Sequence, residues 1–315
     1  MAEVLTIGEP MGLFIAEEAK PLKDVQQFTR RVCGAEVNFS IGLARLGHEV
    51  AYVSRVGADP LGEHIIDFLK ENHIDTAYVT EDDEHLTGMQ MKAKTEDGSD
   101  PMVVNYRKHT AFSYFVQQSL QNINWQGVRH VHATGIPAAL SESCCQALAK
   151  LMEEAHAHGC TVSFDPNLRP ALWPSQEIMV DTLNRLAAKA DLILPGIGEG
   201  RTLTGCSEPE QIADFYLQRG AQAVVVKLGG SKGAYTKEKS GKYFFAPSFA
   251  VEHVVDTVGA GDGFAVGIIS ALLEGLSLPE AVRRGTAIGA LAVMSPGDNE
   301  GLPNRQKLQH FMEVA

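Results

Sequence analysis

The chain has 315 residues, of which 44% are hydrophobic and 21% charged, enough apolar material for one large α/β domain or two modest ones. Its formal net charge of -12 argues against a general nucleic-acid binder, which would show a basic face, but leaves room for a local basic pocket. Cysteines at 33, 144, 145, 160 and 206, without C-x-x-C spacing, suit reduced thiols better than a disulfide framework.

The N-terminal Met1–Gly8 stretch lacks a basic region followed by a long apolar run, so no signal peptide is expected. The most apolar segment, Phe264 to Leu273, contains Gly267 and Ser270 and is too short to span a bilayer. These features predict a soluble, cytoplasmic protein with neither nucleic acid nor membrane as partner.

In chain order, apolar periodicity predicts a strand at Val4–Ile7 and a helix from Ala35 to Leu46 that ends at Gly47. A strand at Val50–Val53 follows, then an amphipathic helix from Leu61 to Lys70 behind Asp59-Pro60. The alternation continues with strand Val128–Ala133, helix Glu142–Ala157, strand Thr161–Phe164 and helix Ile178–Ala188. Strand Leu192–Leu194, helix Pro209–Arg219 and the β-branched strand Ala223–Val226 come next. Ala234–Thr236 and Tyr243–Phe245, joined through Ser240-Gly241, read as a hairpin. Such alternation implies an α/β fold with a mostly parallel sheet between helices. Residues 13–32 and 86–106 break the rhythm with strand-like alternation. They are expected to pair into a small sheet, a lid over one face of a single domain spanning 1–315.

The segment from Asp256 to Phe264 carries the most chemistry. Closely spaced glycines let backbone amides approach a ligand, and these amides open an apolar helix whose N-terminus favours negative charge. Gly259, Ala260 and Gly261 could stabilise a phosphoryl group in transit, while the Asp262 carboxylate accepts a proton from an attacking hydroxyl. The same pattern also suits tight packing with an aspartate as helix cap. A P-loop is unsupported, since no G-x-x-x-x-G-K-[ST] occurs.

Asp256-Thr257-Val258-Gly259-Ala260-Gly261-Asp262-Gly263-Phe264 resembles the D-T-x-G-A-G-D-x-F signature of the ribokinase-like (PfkB) carbohydrate kinases. Cys33-Gly34-Ala35-Glu36-Val37-Asn38 resembles the family's G-G-A-x-x-N, and Val56-Gly57-Ala58-Asp59-Pro60-Leu61-Gly62 its V-G-x-D-x-x-G. The resemblance runs through nearly the whole chain in family order. It implies a three-layer ribokinase-like fold with a β-strand lid, and ATP and Mg²⁺ as cofactors, with a monovalent cation as a further candidate. It also implies that Asp262 is the catalytic base and that the amides of Gly259 to Asp262 form the anion hole. Two departures stand out. Cys33 replaces the first glycine of the G-G pair, and the N-x-x-E motif reads Gly196-Ile197-Gly198-Glu199, which keeps Glu199 as a metal contact through water.

On the nucleotide side, Lys227-Leu228-Gly229-Gly230-Ser231-Lys232-Gly233 follows a buried strand and resembles the family's K-x-G-x-x-G beside ATP. Lys227, Gly229, Gly230, Gly233 and Thr257 are the nucleotide candidates, although Lys227 could equally be a solvated lysine ending a strand. On the acceptor side, Gly34 and Asn38 open the first long helix, Tyr106 and Arg107 end a lid strand, and Asn167 and Arg169 follow a strand at Phe164. Two arginines suit a carboxylate through paired charge-assisted bonds, or else serve as surface ion-pair partners. Gly8-Glu9, Tyr106-Arg107 and Leu194–Arg201 resemble the branch of the family that acts on 2-keto-3-deoxygluconate. The implied reaction phosphorylates the terminal hydroxyl of that sugar acid. A neutral-sugar kinase such as a fructokinase is the alternative, and a non-catalytic sugar-binding regulator the reading from another class. Exposed lid strands predict a homo-oligomer by edge-strand logic. His130-x-His132 lacks companion ligands and is read as packed rather than metal-binding.

Overall fold

The structure, a computed structural model, describes residues 1–95, 101–251, 253–295 and 297–314. Strands β1 (Val4–Ile7), β2 (Met11–Ala16) and β3 (Phe28–Cys33) precede helix α1 (Ala35–Arg45). β4 (Val50–Gly57), α2 (Pro60–Glu71), β5 (Asp75–Asp82), β6 (Met89–Lys92) and β7 (Val103–Tyr106) follow. Next come β8 (His130–Thr134), α3 (Ile136–Leu140), α4 (Glu142–Ala157), β9 (Thr161–Asp165) and α5 (Gln176–Ala187). β10 (Leu192–Ile193), α6 (Ile197–Thr204), α7 (Pro209–Leu217) and β11 (Ala223–Lys227) lead to the hairpin of β12 (Ala234–Glu238) and β13 (Tyr243–Ala246). Helices α8 (Ala260–Leu273), α9 (Leu278–Val293) and α10 (Arg305–Val314) close the chain.

The main sheet has the order β13-β12-β11-β10-β9-β8-β1-β4-β5. Its strands from β11 to β5 run parallel, and the β12–β13 hairpin is antiparallel at one edge. Because side chains alternate across a strand, one sheet feeds two cores. Leu5, Ile7, Val224 and Val226 pack on one face with α4 and α7, while Val4, Tyr52 and Val225 pack on the other with α1, α8 and α9. This is a three-layer α/β architecture. A second, four-stranded sheet has the order β3-β2-β6-β7. Within the segments expected to be strand-like, positions 96–100 lie outside the described residues.

Helix starts follow the local chemistry. The Asp59 Oδ1 accepts from the amides of Leu61 and Gly62, both at 2.9 Å, and Pro60 occupies the first turn of α2. β4 runs on past Val53 because the polar Ser54 is buried, donating to the Gly8 carbonyl at 2.7 Å, and Arg55 pairs with Asp82 of β5 at 3.0 Å. The two histidines of β8 are packed rather than metal-bound in arrangement. His130 Nε2 and His132 Nδ1 both meet the Ser163 hydroxyl at 2.8 Å. Among the described residues no group of three or more His, Cys, Asp or Glu is placed to hold a metal, and no helix is long and apolar enough to cross a membrane.

Helices α8 and α9 approach closely at glycines. A Cβ on Gly267 would lie 2.5 Å from the Gly285 Cα and 2.6 Å from the Arg284 carbonyl oxygen, both backbone atoms that cannot swing aside. Gly267→Ala is therefore expected to lower the thermal midpoint by roughly 2–6 °C through overpacking. An unchanged midpoint would show that the two helices part freely.

Candidate active site

The parallel strands end at one side of the sheet, where open α/β folds bind their ligands. A cavity of about 640 Å³ lies there, bounded by the ends of β9 and β11, the starts of α1 and α8, and strands β6 and β7 of the small sheet. A larger groove of about 870 Å³ between α5 and α7 carries only exposed charges, so the chemistry points to the first.

Asp262 sits in the first turn of α8, and its Oδ2 accepts a hydrogen bond from Asn38 Nδ2 of α1 at 2.8 Å. Asn38 is itself buried, and its Oδ1 accepts from Asn299 at 3.4 Å, so both ends of this amide are engaged. Burial pushes the Asp262 carboxyl up to about 8, helped by Asp165 and Glu36 and opposed by Asn38 and Lys227. Gly259, at φ 79, caps α8 in the left-handed region, and a Cβ there would overlap the Asp298 carbonyl. Gly34, at φ 145, caps α1 and leaves no room between Glu9 and Val37. Two helix N-termini thus converge on one cavity.

Lys227 is half-buried and paired rather than solvated. Its Nζ donates to Asp165 Oδ2 at 2.5 Å and would lie 3.6 Å from a Cβ on Gly261, which places a cation beside the glycine turn. Burial would lower the Lys227 ammonium, yet Asp165 and Glu199 more than offset this and raise it. Burial raises the Asp165 carboxyl to about 6 despite the lysine. Glu199 accepts from the amides of Leu168 at 2.9 Å and Gly196 at 2.7 Å, clamping the loop after β9 to the start of α6.

Arg107 reaches the cavity from the small sheet and is 7% exposed. Its Nε and Nη2 donate to Glu9 Oε2 at 2.8 and 2.6 Å, and the Thr110 hydroxyl donates to Glu9 Oε1 at 2.5 Å. Arg169 is exposed and turns back onto its own loop, donating to Asn167 Oδ1 at 2.7 Å, where Asn167 takes a left-handed φ of 42. Cys33 is buried in the cavity wall and its thiol, raised by burial, donates to Gln90 Oε1 at 3.5 Å.

Of the residues expected at the site, Gly34, Asn38, Arg107, Asn167, Arg169, Glu199, Lys227, Thr257, Gly259, Gly261 and Asp262 line this cavity. Tyr106 does not. It is 51% exposed, and successive residues of β7 face opposite sides, so Val103, Asn105 and Arg107 turn inward. Gly229, Gly230 and Gly233 form a turn beyond β11 outside the lining; a Cβ on Gly233 would overlap the Ala246 carbonyl, a packing reason for that glycine. Ala260 contributes its backbone at the first position of α8. Sequence reasoning missed the buried carboxylates Glu36 and Asp165 and the half-buried Asp298. Glu36 accepts from the Thr134 hydroxyl, and its bulk is what excludes a Cβ at Gly8.

A glycine turn opening α8, a half-buried carboxyl and a cation therefore meet in one cavity of a three-layer α/β frame. The chain belongs to the pfkB family of carbohydrate kinases, whose profile matches residues 1–305. It is 47% identical over 313 residues to a 2-dehydro-3-deoxygluconokinase of Bacillus subtilis (strain 168), covering 99% of this chain and 96% of that protein. A 2-dehydro-3-deoxygluconokinase of Thermoproteus tenax is 31% identical over 320 residues, covering 100% of this chain and 95% of that one. Among solved structures, a PfkB protein from Polaromonas sp. JS666 superposes with a TM-score of 0.89 at 44% identity, covering 98% of this chain and 99% of that chain. An E. coli protein assigned to ribokinase II, in complex with ATP and Mg²⁺, gives 0.90 at 26% identity with full coverage of both chains.

Proposed function

We propose that the protein transfers the γ-phosphoryl group of ATP to the terminal hydroxyl of 2-dehydro-3-deoxygluconate, giving the 6-phosphate. The observation that carries this reading is the half-buried Asp262 carboxyl, held by Asn38 at the N-terminus of α8 in a cavity that also contains Arg107. Asp262 takes the hydroxyl proton as the oxygen attacks phosphorus. The amides of Gly259, Ala260 and Gly261 receive the developing charge, and Lys227 adds a cation beside them. Arg107 and Arg169, with Gly34 and Asn167, orient the acceptor. Tyr106 is left to the outer face.

ATP binds across Thr257 and the turn of Gly229, Gly230 and Gly233. The hard oxygen donors, without a three-ligand cluster among the described residues, fit a Mg²⁺ carried by the nucleotide and approached through water. Glu199 would reach that water with lone pairs its two amide partners leave free. Mg²⁺ supplies charge neutralisation at the phosphate oxygens. A monovalent cation remains an accessory candidate. The four-stranded sheet serves as a lid on a single domain, and its edge strand, with Val103 and Tyr106 exposed at 39% and 51%, suits a homo-oligomer in the cytoplasm.

ATP consumption across 2-dehydro-3-deoxygluconate, fructose and ribose tests the assignment. The sugar acid should lead in kcat/KM by at least tenfold, and equal or better turnover of fructose would overturn it. The pH profile gives a second test. With Asp262 raised to about 8 by burial, kcat/KM should climb with pH and level off above that value, because only the carboxylate accepts a proton. A flat profile between pH 6 and 9 would contradict a basic role, since those limits reach about two pH units below the titration and about one above it.

A further inference from the structure

Lysine is almost never fully buried unless paired, yet Lys92 of β6 is only 6% exposed. It shares the inward pleat of β6 with Gln90, which lines the cavity. Its Nζ donates to Asp256 Oδ2 at 2.6 Å across 164 residues of chain. Asp256 opens the glycine turn, and its second oxygen accepts from the Val258 amide at 3.1 Å, one residue before Gly259. One carboxylate therefore holds the small sheet with one oxygen and the phosphate-facing turn with the other. Asp298 flanks the same turn, its carbonyl standing where a Gly259 Cβ would fall, and its half-buried carboxyl feels the Lys92 charge.

We propose that Lys92 is a positioning residue that ties the four-stranded sheet to the glycine turn and cancels the negative charge of Asp256 and Asp298 beside the anion hole. The inference deepens the kinase reading and rests on it. Two uncompensated carboxylates flanking the turn would repel the transferring phosphoryl group, and a loosened turn would misplace its amides. A sheet seated over the cleft supplies the ammonium; a displaced one withdraws it. The completeness of the phosphate site is thereby coupled to closure over the acceptor.

The test uses the full-length protein with Lys92→Met, Lys92→Arg, Asp256→Asn and the Lys92→Met/Asp256→Asn pair. Wild-type turnover on the acceptor panel establishes the kinase reading separately. Hydrogen exchange at the amides of Thr257 to Asp262 reports on the turn without any acceptor. Lys92→Met should lower kcat roughly a hundredfold, with acceptor KM within about threefold of the parent, because misplaced catalytic groups cost rate more than binding. Exchange at the turn should quicken, Lys92→Arg should restore most of the rate, and the double variant should be no worse than either single one. Lys92→Gln replaces the methionine variant if that fails to fold. A kcat within about threefold of the parent, losses that multiply in the double variant, or unchanged exchange at the turn would each overturn the proposal.

Discussion

Asp262→Asn is expected to lower kcat by about 10²- to 10⁴-fold while the KM for the sugar acid stays near the parent value. The substitution keeps the shape of the side chain. Its amide oxygen can accept from Asn38 Nδ2, which now bonds Asp262 Oδ2 at 2.8 Å, so the turn and the start of α8 should survive. What is lost is the capacity to take a proton. Stability should move the other way. Burial raises the folded Asp262 carboxyl from 3.8 to about 8, so between those values the folded chain binds a proton that the unfolded chain has released. Stability contributed at this site therefore falls as pH rises through that window. Asparagine has no such dependence. The thermal midpoint of Asp262→Asn should exceed that of the parent at pH 8, with the gap closing towards pH 4. Parent-like turnover would remove the base assignment, and a gap that widens on acidification would remove the account of the raised carboxyl.

How much of this was legible beforehand depends on the distance over which each feature is built. The glycine turn and Asp262 are contiguous, and a turn that opens a helix is specified by its own residues, so the turn from Asp256 to Phe264 and the helix it opens can be read from the sequence. The companion carboxylates are different. Glu36 meets Thr134, and Glu9 meets Arg107, each across 98 residues, and only the folded sheet creates those encounters. Lys227 was ambiguous for the same reason, since its strand-end position does not reveal that Asp165 waits 62 residues upstream. Tyr106 is a different matter. Pairing it with Arg107 as a unit ignored the alternation of β7, which was present in the sequence and sends the two side chains to opposite faces. β5 escaped because Asp75–Asp82 is an edge strand with a largely polar pattern, and such strands offer little apolar alternation to read.

Arg107→Ala alone would give a misleading result, because the arginine does two jobs. Its Nε–Nη2 edge neutralises Glu9, which is 2% exposed and otherwise bonded through Thr110. Removing the guanidinium strands that carboxylate, and breaking one side of a buried ion pair costs about 3–5 kcal/mol. A fall in stability is therefore expected whatever the acceptor. Arg107→Met combined with Glu9→Gln separates the two roles: the charge balance is restored, the volume is roughly kept, and Gln can still accept from Thr110. Most of the lost thermal midpoint should return in this double variant. The KM for 2-dehydro-3-deoxygluconate should nonetheless stay raised by about a hundredfold, the equivalent of about 3 kcal/mol for a charge-assisted contact with the acceptor carboxylate. Fructose, which has no carboxylate to lose, should respond little. If the KM for the sugar acid recovers together with stability, Arg107 merely keeps Glu9 quiet, and recognition of an acidic acceptor must lie with Arg169.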